Sequence, residues 1–421
     1  MRVIADLQIH SKYSRACSQD LNPKNIGLWA DKKGIGVIGT GDFTHPKWLT
    51  ELKEALEETK PGLYQLKDKS ARAYFMPTSE VSSIYKQGEK VRRVHNMIFA
   101  PKFEAIDRII ADLEKAGANL KADGRPIMGV HCDDLVKIVK SASAEAEIIP
   151  AHAWTPHFGV FGSLSGFNSI EEAFGDQAKY IKAIETGLSS DPKMNWQISG
   201  LDKYSLTSNS DAHSLRKIGR EANVFEISPD KLSYGEIIRV LYSKNPKEFL
   251  FTIEFFPEEG KYHLDGHRNC HFSCLPAKTK KLNGVCPVCG KKLLFGVLNR
   301  VGELADREFG FIPPRAVPYK NVIQLEEVIA DVLEVGTQSK KVLEMYEKMI
   351  GNRPEFEILL DLSEEEIIKI SSPEIAKAIV RVREGNVHIE GGYDGVFGKI
   401  QIFEEDERAK IFKKAKQASL F

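Results

Sequence analysis

Asp211 and His213 lie two residues apart in Ser208-Asn209-Ser210-Asp211-Ala212-His213, just after Tyr204-Ser205-Leu206-Thr207, which reads as the end of a strand. A carboxylate and an imidazole leaving a strand together can reach one point in a pocket, as a hydrolytic metal site requires. Alone, an Asp-x-His more often closes a hydrogen-bonded loop. The stretch gains weight because metal-capable side chains recur at strand ends through the first half of the chain: His10, Asp42, Glu80, His152, Glu185 and Asp211. His95 falls inside a returning strand, where an ordinary packed histidine is the plainer reading. Carboxylates and imidazoles suit Zn, Mn or Fe, and carboxylate-rich positions can hold Mg. Paired ions activate water and stabilise the leaving oxygen of a phosphate ester.

A second constellation lies further on. Cys270-x3-Cys274 and Cys286-x2-Cys289 flank a Lys-rich loop, Lys278-Thr279-Lys280-Lys281. Cys286-Pro287-Val288-Cys289-Gly290 reads as a zinc knuckle, and four thiolates make a closed, structural zinc site. His267 and His271 are spare candidates. Cys17 and Cys132 stand alone as free thiols. In a reducing compartment such a cluster reads as a metal site rather than two disulfides.

The elements that must position these residues follow from punctuation and periodicity. Val3–His10 alternates as a strand; Asn22 caps and Pro23 starts a helix through about Lys33. Gly36–Thr40 is a short buried strand, and a helix runs from about Pro46 to Glu58. Arg72–Tyr85 is a strand carrying Glu80, and Val91–Ala100 returns through a turn at Gly88 carrying His95. Phe103–Lys115 has helical periodicity. Strand and helix then alternate to about residue 245, which predicts a parallel α/β architecture closed as a barrel, with the strand ends meeting on one rim. Beyond Asn321 helices dominate, with a capping box at Ser363-Glu364-Glu365-Glu366. Gly391–Gly398 is a glycine-rich turn, either a phosphate-binding nest or a plain hairpin.

The chain has 421 residues, 42% hydrophobic and 28% charged, enough for two or three domains. The expected division is 1–245 for the barrel, 246–300 for the zinc module, 301–412 for a helical domain and 413–421 for a basic tail. A formal net charge of +0 announces no global basic field, so any surface for nucleic acid must be local. No apolar run is long enough to span a bilayer, and Met1 leads directly into a strand with no signal peptide; a cytoplasmic protein without membrane association is expected.

Asp6-Leu7-Gln8-Ile9-His10, Thr40-Gly41-Asp42, Ser79-Glu80-Val81, Val94-His95-Asn96, Pro150-Ala151-His152 and Ser210-Asp211-Ala212-His213 together resemble the polymerase-and-histidinol-phosphatase (PHP) family of metal-dependent phosphoesterases, over about residues 1–245. The resemblance implies a distorted seven-stranded β/α barrel with two or three divalent ions (Zn2+, Mg2+ or Mn2+) at its rim. It implies ligands at His10, Glu80, His95, His152, Asp211 and His213, joined by Asp42 and by Gln8 through its amide oxygen. Glu80, Asp211 and His10 would be the catalytic centre. Two positions depart from the family: Gln8 stands where it usually has His, and Phe43 follows Asp42 where it usually has another His, with His45 as a stand-in.

Small-molecule phosphatases of that family, such as histidinol phosphatase, need no zinc knuckle or helical extension. With Gln8 those features resemble endonuclease Q, an archaeal and occasionally bacterial family of DNA-repair nucleases. That resemblance implies incision 5′ to deaminated bases (uracil, hypoxanthine, xanthine) or abasic sites, leaving a 3′-hydroxyl and a 5′-phosphate. The insert His157–Asn168 places Phe161, Phe167 and Asn168 as lesion-pocket candidates with Asn195 and Trp196, unless it is a lid packed on the barrel. Arg216 and Lys217 are candidates for phosphate neutralisation. The ending Gln417-Ala418-Ser419-Leu420-Phe421 resembles the start of a sliding-clamp-binding peptide. A phosphomonoesterase acting on small molecules, and a non-catalytic DNA or clamp adaptor, remain the alternatives.

Overall fold

The computed structural model describes residues 1–351 and 353–408. The clamp-like peptide Gln417–Phe421 and the basic tail from Lys413 lie outside the described residues. The architecture is mixed α/β, and the helix starts read from the sequence at Pro23, Pro46 and Phe103 are observed. Pro23–Lys33 is a helix whose Asn22 side chain accepts from the Asn25 N–H, with Gly34 in the left-handed region as its stop. Phe103–Lys115 and Cys132–Ala142 are helices with buried apolar stripes. The helix from Pro46 ends at Ala55, and Leu56–Lys60 becomes a strand.

The strands do not form one closed, parallel ring of seven. They divide into an eight-stranded mixed sheet, a four-stranded sheet and small two-stranded pairs. Arg2–Asp6 pairs parallel with Val37–Gly39 but antiparallel with Ala222–Glu226. Thr78–Gln87 and Lys90–Phe99 form a long hairpin, extended by Glu147–Pro150 antiparallel to the second strand. Ala183–Glu185 pairs parallel with Ser205–Thr207. Strict parallel alternation fails because the short Gln87–Lys90 connection can only make a hairpin; a parallel return needs a crossover of a dozen or more residues.

Single backbone bonds link the strand ends: within the four-stranded sheet from Ala151 N–H to His95 O, and between sheets from Ala153 N–H to Glu185 O and from His10 N–H to Ala212 O. Each joins a segment that carries a candidate ligand. Behind this rim the sheets bury residues such as Val37, Phe75, Ile98, Ile148 and Val224.

A separate apolar cluster, including Leu325, Ile329, Val342, Ile358 and Ile379, forms the core of the helical part. Ser363 makes the expected capping box with Glu366. This part is tied to the first by a buried ion pair, Lys33 Nζ to Glu355 Oε2 at 2.6 Å. Among the described residues, no helix is long and apolar enough to cross a membrane.

Candidate active site

The hairpin sets the centre. Glu80 pairs across from Met97, and His95 from Ser82, so Glu80 and His95 are diagonal neighbours on one sheet face. Glu80 Oε1 lies 2.5 Å from His95 Nδ1 and 3.3 Å from His152 Nε2. Glu80 Oε2 lies 3.0 Å from His10 Nε2, and His10 Nε2 lies 2.9 Å from Asp211 Oδ1. His213 completes the second group, with its ring centroid 4.5 Å from that of His10. Two sets result: Glu80, His95 and His152, and His10, Asp211 and His213. In each, three ligand atoms lie within 4.8 Å of one another. Glu80 touches both sets.

Three of the residues that shape this rim leave the ordinary backbone regions. Asp42, His152 and Asp211 have φ of 48°, 28° and 47°, in the left-handed region that L residues avoid. The left-handed step turns each chain sharply at a strand end. Held strain of this kind needs surroundings that over-determine it, and they are present. The His152 N–H donates to Glu185 Oε2 at 2.6 Å. Asn209 Nδ2 donates to Glu185 Oε1, and Asn209 Oδ1 accepts from the Leu7 N–H. Arg220 Nε donates to Ser210 O. A Cβ on Gly187 would run into His152, so this close approach requires glycine.

The electrostatics call for positive charge. Burial pulls the His10 imidazole down, but Asp42, Asp211 and Glu80 together hold it well above its ordinary value. Burial pushes Glu80 up, yet His95, Arg125, His10 and His152 hold it well below the usual carboxylate range. Burial takes His95 down to about 4 despite Glu80, and Glu185 up to about 8. Imidazole nitrogens and carboxylate oxygens in two three-atom sets suit Zn, Mn or Fe and leave coordination positions open. Two lone-pair atoms here, Gln8 Oε1 and His152 Nδ1, are buried without a hydrogen-bond partner. The donor set therefore fits divalent cations.

Not every expected residue joins the two sets. Asp42 stands behind His10: its Oδ1 accepts from Nδ1 at 3.0 Å, and its Oδ2 accepts from the Ser11 N–H, Ser11 Oγ and Ser14 Oγ at 2.6, 2.7 and 2.8 Å. That arrangement holds the His10 ring in place, and Asp42 belongs to neither three-residue set. Gln8 donates from Nε2 to Glu80 Oε2 at 3.3 Å. His45 caps the helix Pro46–Ala55 and stacks on Tyr13, away from the rim sets.

The lesion-pocket candidates are mostly core. Phe161 is buried against Trp154, and Phe167 is buried with the Arg92 guanidinium 4.0 Å over its ring. Asn195 is buried, accepting from Trp154 Nε1 and donating to Ser190 Oγ. Asn168 accepts from Arg300 Nη2. Trp196 packs edge-on against Tyr319. The insert is thus largely a packed lid. Arg216 is occupied by Glu326 at 2.6 Å and Lys217 by Glu327 at 2.5 Å, so both brace the helical part; Lys217 also lines the cleft.

That cleft, of about 610 Å³, opens over His95, His152 and Asp211. Sequence reasoning missed Arg125, Arg220, Phe158, Lys261 and Phe397, all of which line it. Arg125 Nη1 lies 3.5 Å from Glu80 Oε2, and Phe158 packs on the His95 ring. None carries a motif, because segments distant in the chain assemble the cleft.

Three of the four expected zinc ligands come together with a histidine. The four clustered groups are His267, Cys270, Cys286 and Cys289, with Cys274 left out. Strand Asp265–His267 pairs antiparallel with Phe272–Cys274, setting Cys274 opposite Asp265 and Phe272 opposite His267. Cys274 sits two residues, ~6.6 Å, along its strand from the residue that faces His267, with its Sγ 3.2 Å from Thr279 Oγ1, and it packs with Cys286 and Leu293.

The family described as MJ0043 C-terminal domain matches residues 324–386. The chain is 28% identical over 413 residues to the protein YqxK of Bacillus subtilis, covering 95% of this chain and 99% of that one. It is 32% identical over 254 residues to MJ0043 of Methanocaldococcus jannaschii, covering 59% of this chain and 31% of that longer protein. Among solved structures it resembles the lesion-specific endonuclease PfuEndoQ from Pyrococcus furiosus, with a TM-score of 0.85 and 29% identity over 99% of both chains. It also resembles an endonuclease Q complexed with a 27-mer duplex that carries an abasic lesion at the active site. There the TM-score is 0.86, with 30% identity over 98% of this chain and 100% of that one. Alike in sequence and fold over the full length of both solved proteins, the chain belongs to the endonuclease Q family.

Proposed function

We propose that this protein is a metal-dependent DNA-repair endonuclease, hydrolysing the phosphodiester 5′ to deaminated bases (uracil, hypoxanthine, xanthine) and abasic sites to leave 3′-hydroxyl and 5′-phosphate ends. The observation that carries the reading is the pair of three-ligand sets joined through Glu80, in a chain alike end to end to an endonuclease Q bound to abasic-lesion DNA. His10, Asp211 and His213 would hold one divalent ion, and Glu80, His95 and His152 another. Such ions, when bound, polarise a phosphate and lower the pKa of a coordinated water. The chain's own groups do the rest. Asp42 lies 3.0 Å from His10 Nδ1 and, by holding that side of the ring, would present Nε2 to an ion. Glu185 and Asn209 fix the backbone at His152. Arg125 and Arg220 put positive charge in the cleft, where non-bridging phosphate oxygens would lie. A zinc ion at His267, Cys270, Cys286 and Cys289 would be structural, since four protein ligands close the site.

The test is incision of end-labelled duplexes carrying one uracil, one hypoxanthine, one abasic site or no lesion, with Mg2+ or Mn2+ and with chelator. A metal-dependent nick 5′ of the lesion and none in the plain duplex is expected. Turnover of histidinol phosphate without any nick would transfer the site to small-molecule phosphatase chemistry.

A further inference from the structure

The glycine-rich turn at Gly391–Gly398 has no part in the two ligand sets, yet it reaches the same cleft. Tyr393 and Val396 close a two-residue hairpin with both backbone bonds, Tyr393 N–H to Val396 O at 3.0 Å and Val396 N–H to Tyr393 O at 2.7 Å. Asp394 and Gly395 between them have φ of 43° and 85°, the left-handed pair such a turn needs. The turn is pinned to the segment 258–264: the N–H groups of Gly392, Gly395 and Gly398 donate to Glu258 O, Lys261 O and Glu259 O at 2.7, 3.0 and 3.0 Å. These amides are therefore spent on backbone carbonyls and are not a phosphate nest. A Cβ on Gly398 would run into Glu258 O, so the hairpin lies flat on its support.

This rigid mount presents one large side chain outward. Phe397 is 53% exposed and lines the cleft that holds His95, His152 and Asp211. Lys261 lies over one face of the ring, its Nζ 4.5 Å from the centroid. Lys261 is exposed and makes no ion pair among the described residues. Apolar burial does not explain an exposed phenyl ring, and the hairpin closes without it. A π-face and an adjacent unpaired cation, fixed at the edge of a phosphate-capable site, match one ligand chemistry: a nucleobase attached to a phosphate.

We infer that Phe397 and Lys261 form a nucleotide platform at the cleft mouth: the phenyl face stacks on the nucleobase next to the cleaved phosphate, and the ammonium pairs with the neighbouring phosphate. This rests on the reading of the site as a DNA phosphodiesterase. Stacking of one base on an aromatic side chain is worth about 1–3 kcal/mol, so its loss weakens binding roughly 5- to 150-fold.

The experiment uses the full-length protein, without added metal and in chelator so that DNA stays intact. Fluorescence anisotropy gives the Kd for an abasic duplex, and a 2-aminopurine beside the lesion reports stacking. Phe397→Ala should weaken binding within that range and abolish the enzyme-induced 2-aminopurine change, while Phe397→Trp keeps both. Lys261→Ala should weaken binding and lower the salt dependence by about one ion. Alanine variants that bind within twofold of wild type, while wild type still incises lesions, would overturn the platform and leave the proposed function standing. A wild type that neither binds nor incises lesion duplexes would overturn both.

Discussion

Asp42→Asn distinguishes an orienting carboxylate from a ligand. Asp42 Oδ2 accepts three hydrogen bonds, from the Ser11 N–H and from the hydroxyls of Ser11 and Ser14, and Oδ1 accepts from His10 Nδ1. An asparagine must place its oxygen where three donors converge, since the opposite flip would point an NH2 at all of them. Its NH2 then faces His10 Nδ1, which must become an acceptor. The proton is driven to Nε2, the atom that meets Glu80 and Asp211. Losing an outer partner of a metal-binding histidine costs about 10- to 100-fold in affinity. Opposing the ring tautomer adds a mismatched buried hydrogen bond, about 1–3 kcal/mol. The sum is a loss of roughly 10² to 10⁴ in Mn2+ affinity.

Asp42→Ala removes the acceptor without imposing the wrong tautomer, because Ser14 Oγ lies 3.3 Å from Nδ1 and can accept its proton. Its loss should stay within about 10- to 100-fold. Titration calorimetry of metal-free protein with Mn2+ gives the order: wild type, then Ala, then Asn weakest. If Asp42 were a ligand, the asparagine oxygen would substitute better than alanine, and the order of the two variants would reverse. That reversal, or an Asn variant as tight as wild type, refutes the orienting role.

Three further outcomes follow from the same structure. His267→Ala should lose stoichiometric zinc after dialysis against chelator while Cys274→Ala retains it, as measured by elemental analysis; the opposite result would restore the four-cysteine site. Lys33→Met should destabilise the protein by about 3 kcal/mol in urea unfolding, because Glu355 is left as a buried carboxylate without its cation; a change under about 1 kcal/mol, the size of an exposed pair, would contradict this. Burial pushes Glu254 from 4.5 up to about 8, and burial with the Glu254 charge raises Glu221 as well. The unfolded chain then releases these protons first, so the Glu254 contribution is complete below about pH 4.5 and is lost as pH rises through about 8. Glu254→Gln should flatten that slope in urea melts between about pH 5 and 8, and an unchanged slope would count against the assignment.

The sequence made legible whatever rests on local chemistry. Asn22 and Pro23 announce their helix because capping and a fixed φ act within one turn. The rim histidines and carboxylates are visible because short motifs sit at strand ends. What stayed hidden depends on register and packing. The phenyl rings of Phe161 and Phe167 read as stacking surfaces in a glycine-rich loop, but the loop folds them inward, where burial outweighs exposure. Cys274 and His267 differ by a strand register that spacing does not encode. Lys261 and Phe397 are far apart in the chain, and only the docking of the hairpin on the segment 258–264 brings them together.

The strained backbone links these observations. Asp42, His152 and Asp211 each hold a left-handed φ, a cost of order 1–3 kcal/mol apiece. Relaxing any of them would point its side chain away from the rim. A polar network of Asp6, Glu185, Asn209 and Arg220 supplies the restraint at His152 and Asp211: Asp6 accepts from the Ser210 and Gly219 N–H groups, Asn209 ties Leu7 to Glu185, Glu185 accepts from the His152 N–H, and Arg220 donates to Ser210 O. These residues touch both strands and ligand loops, so they couple the fold's stability to the ligand geometry. Asn209→Ala should therefore lower metal affinity and stability together, whereas Lys33→Met, far from the rim, should lower stability alone. Calorimetry and urea unfolding on the two variants separate the effects, and equal metal affinity in both would break the proposed coupling.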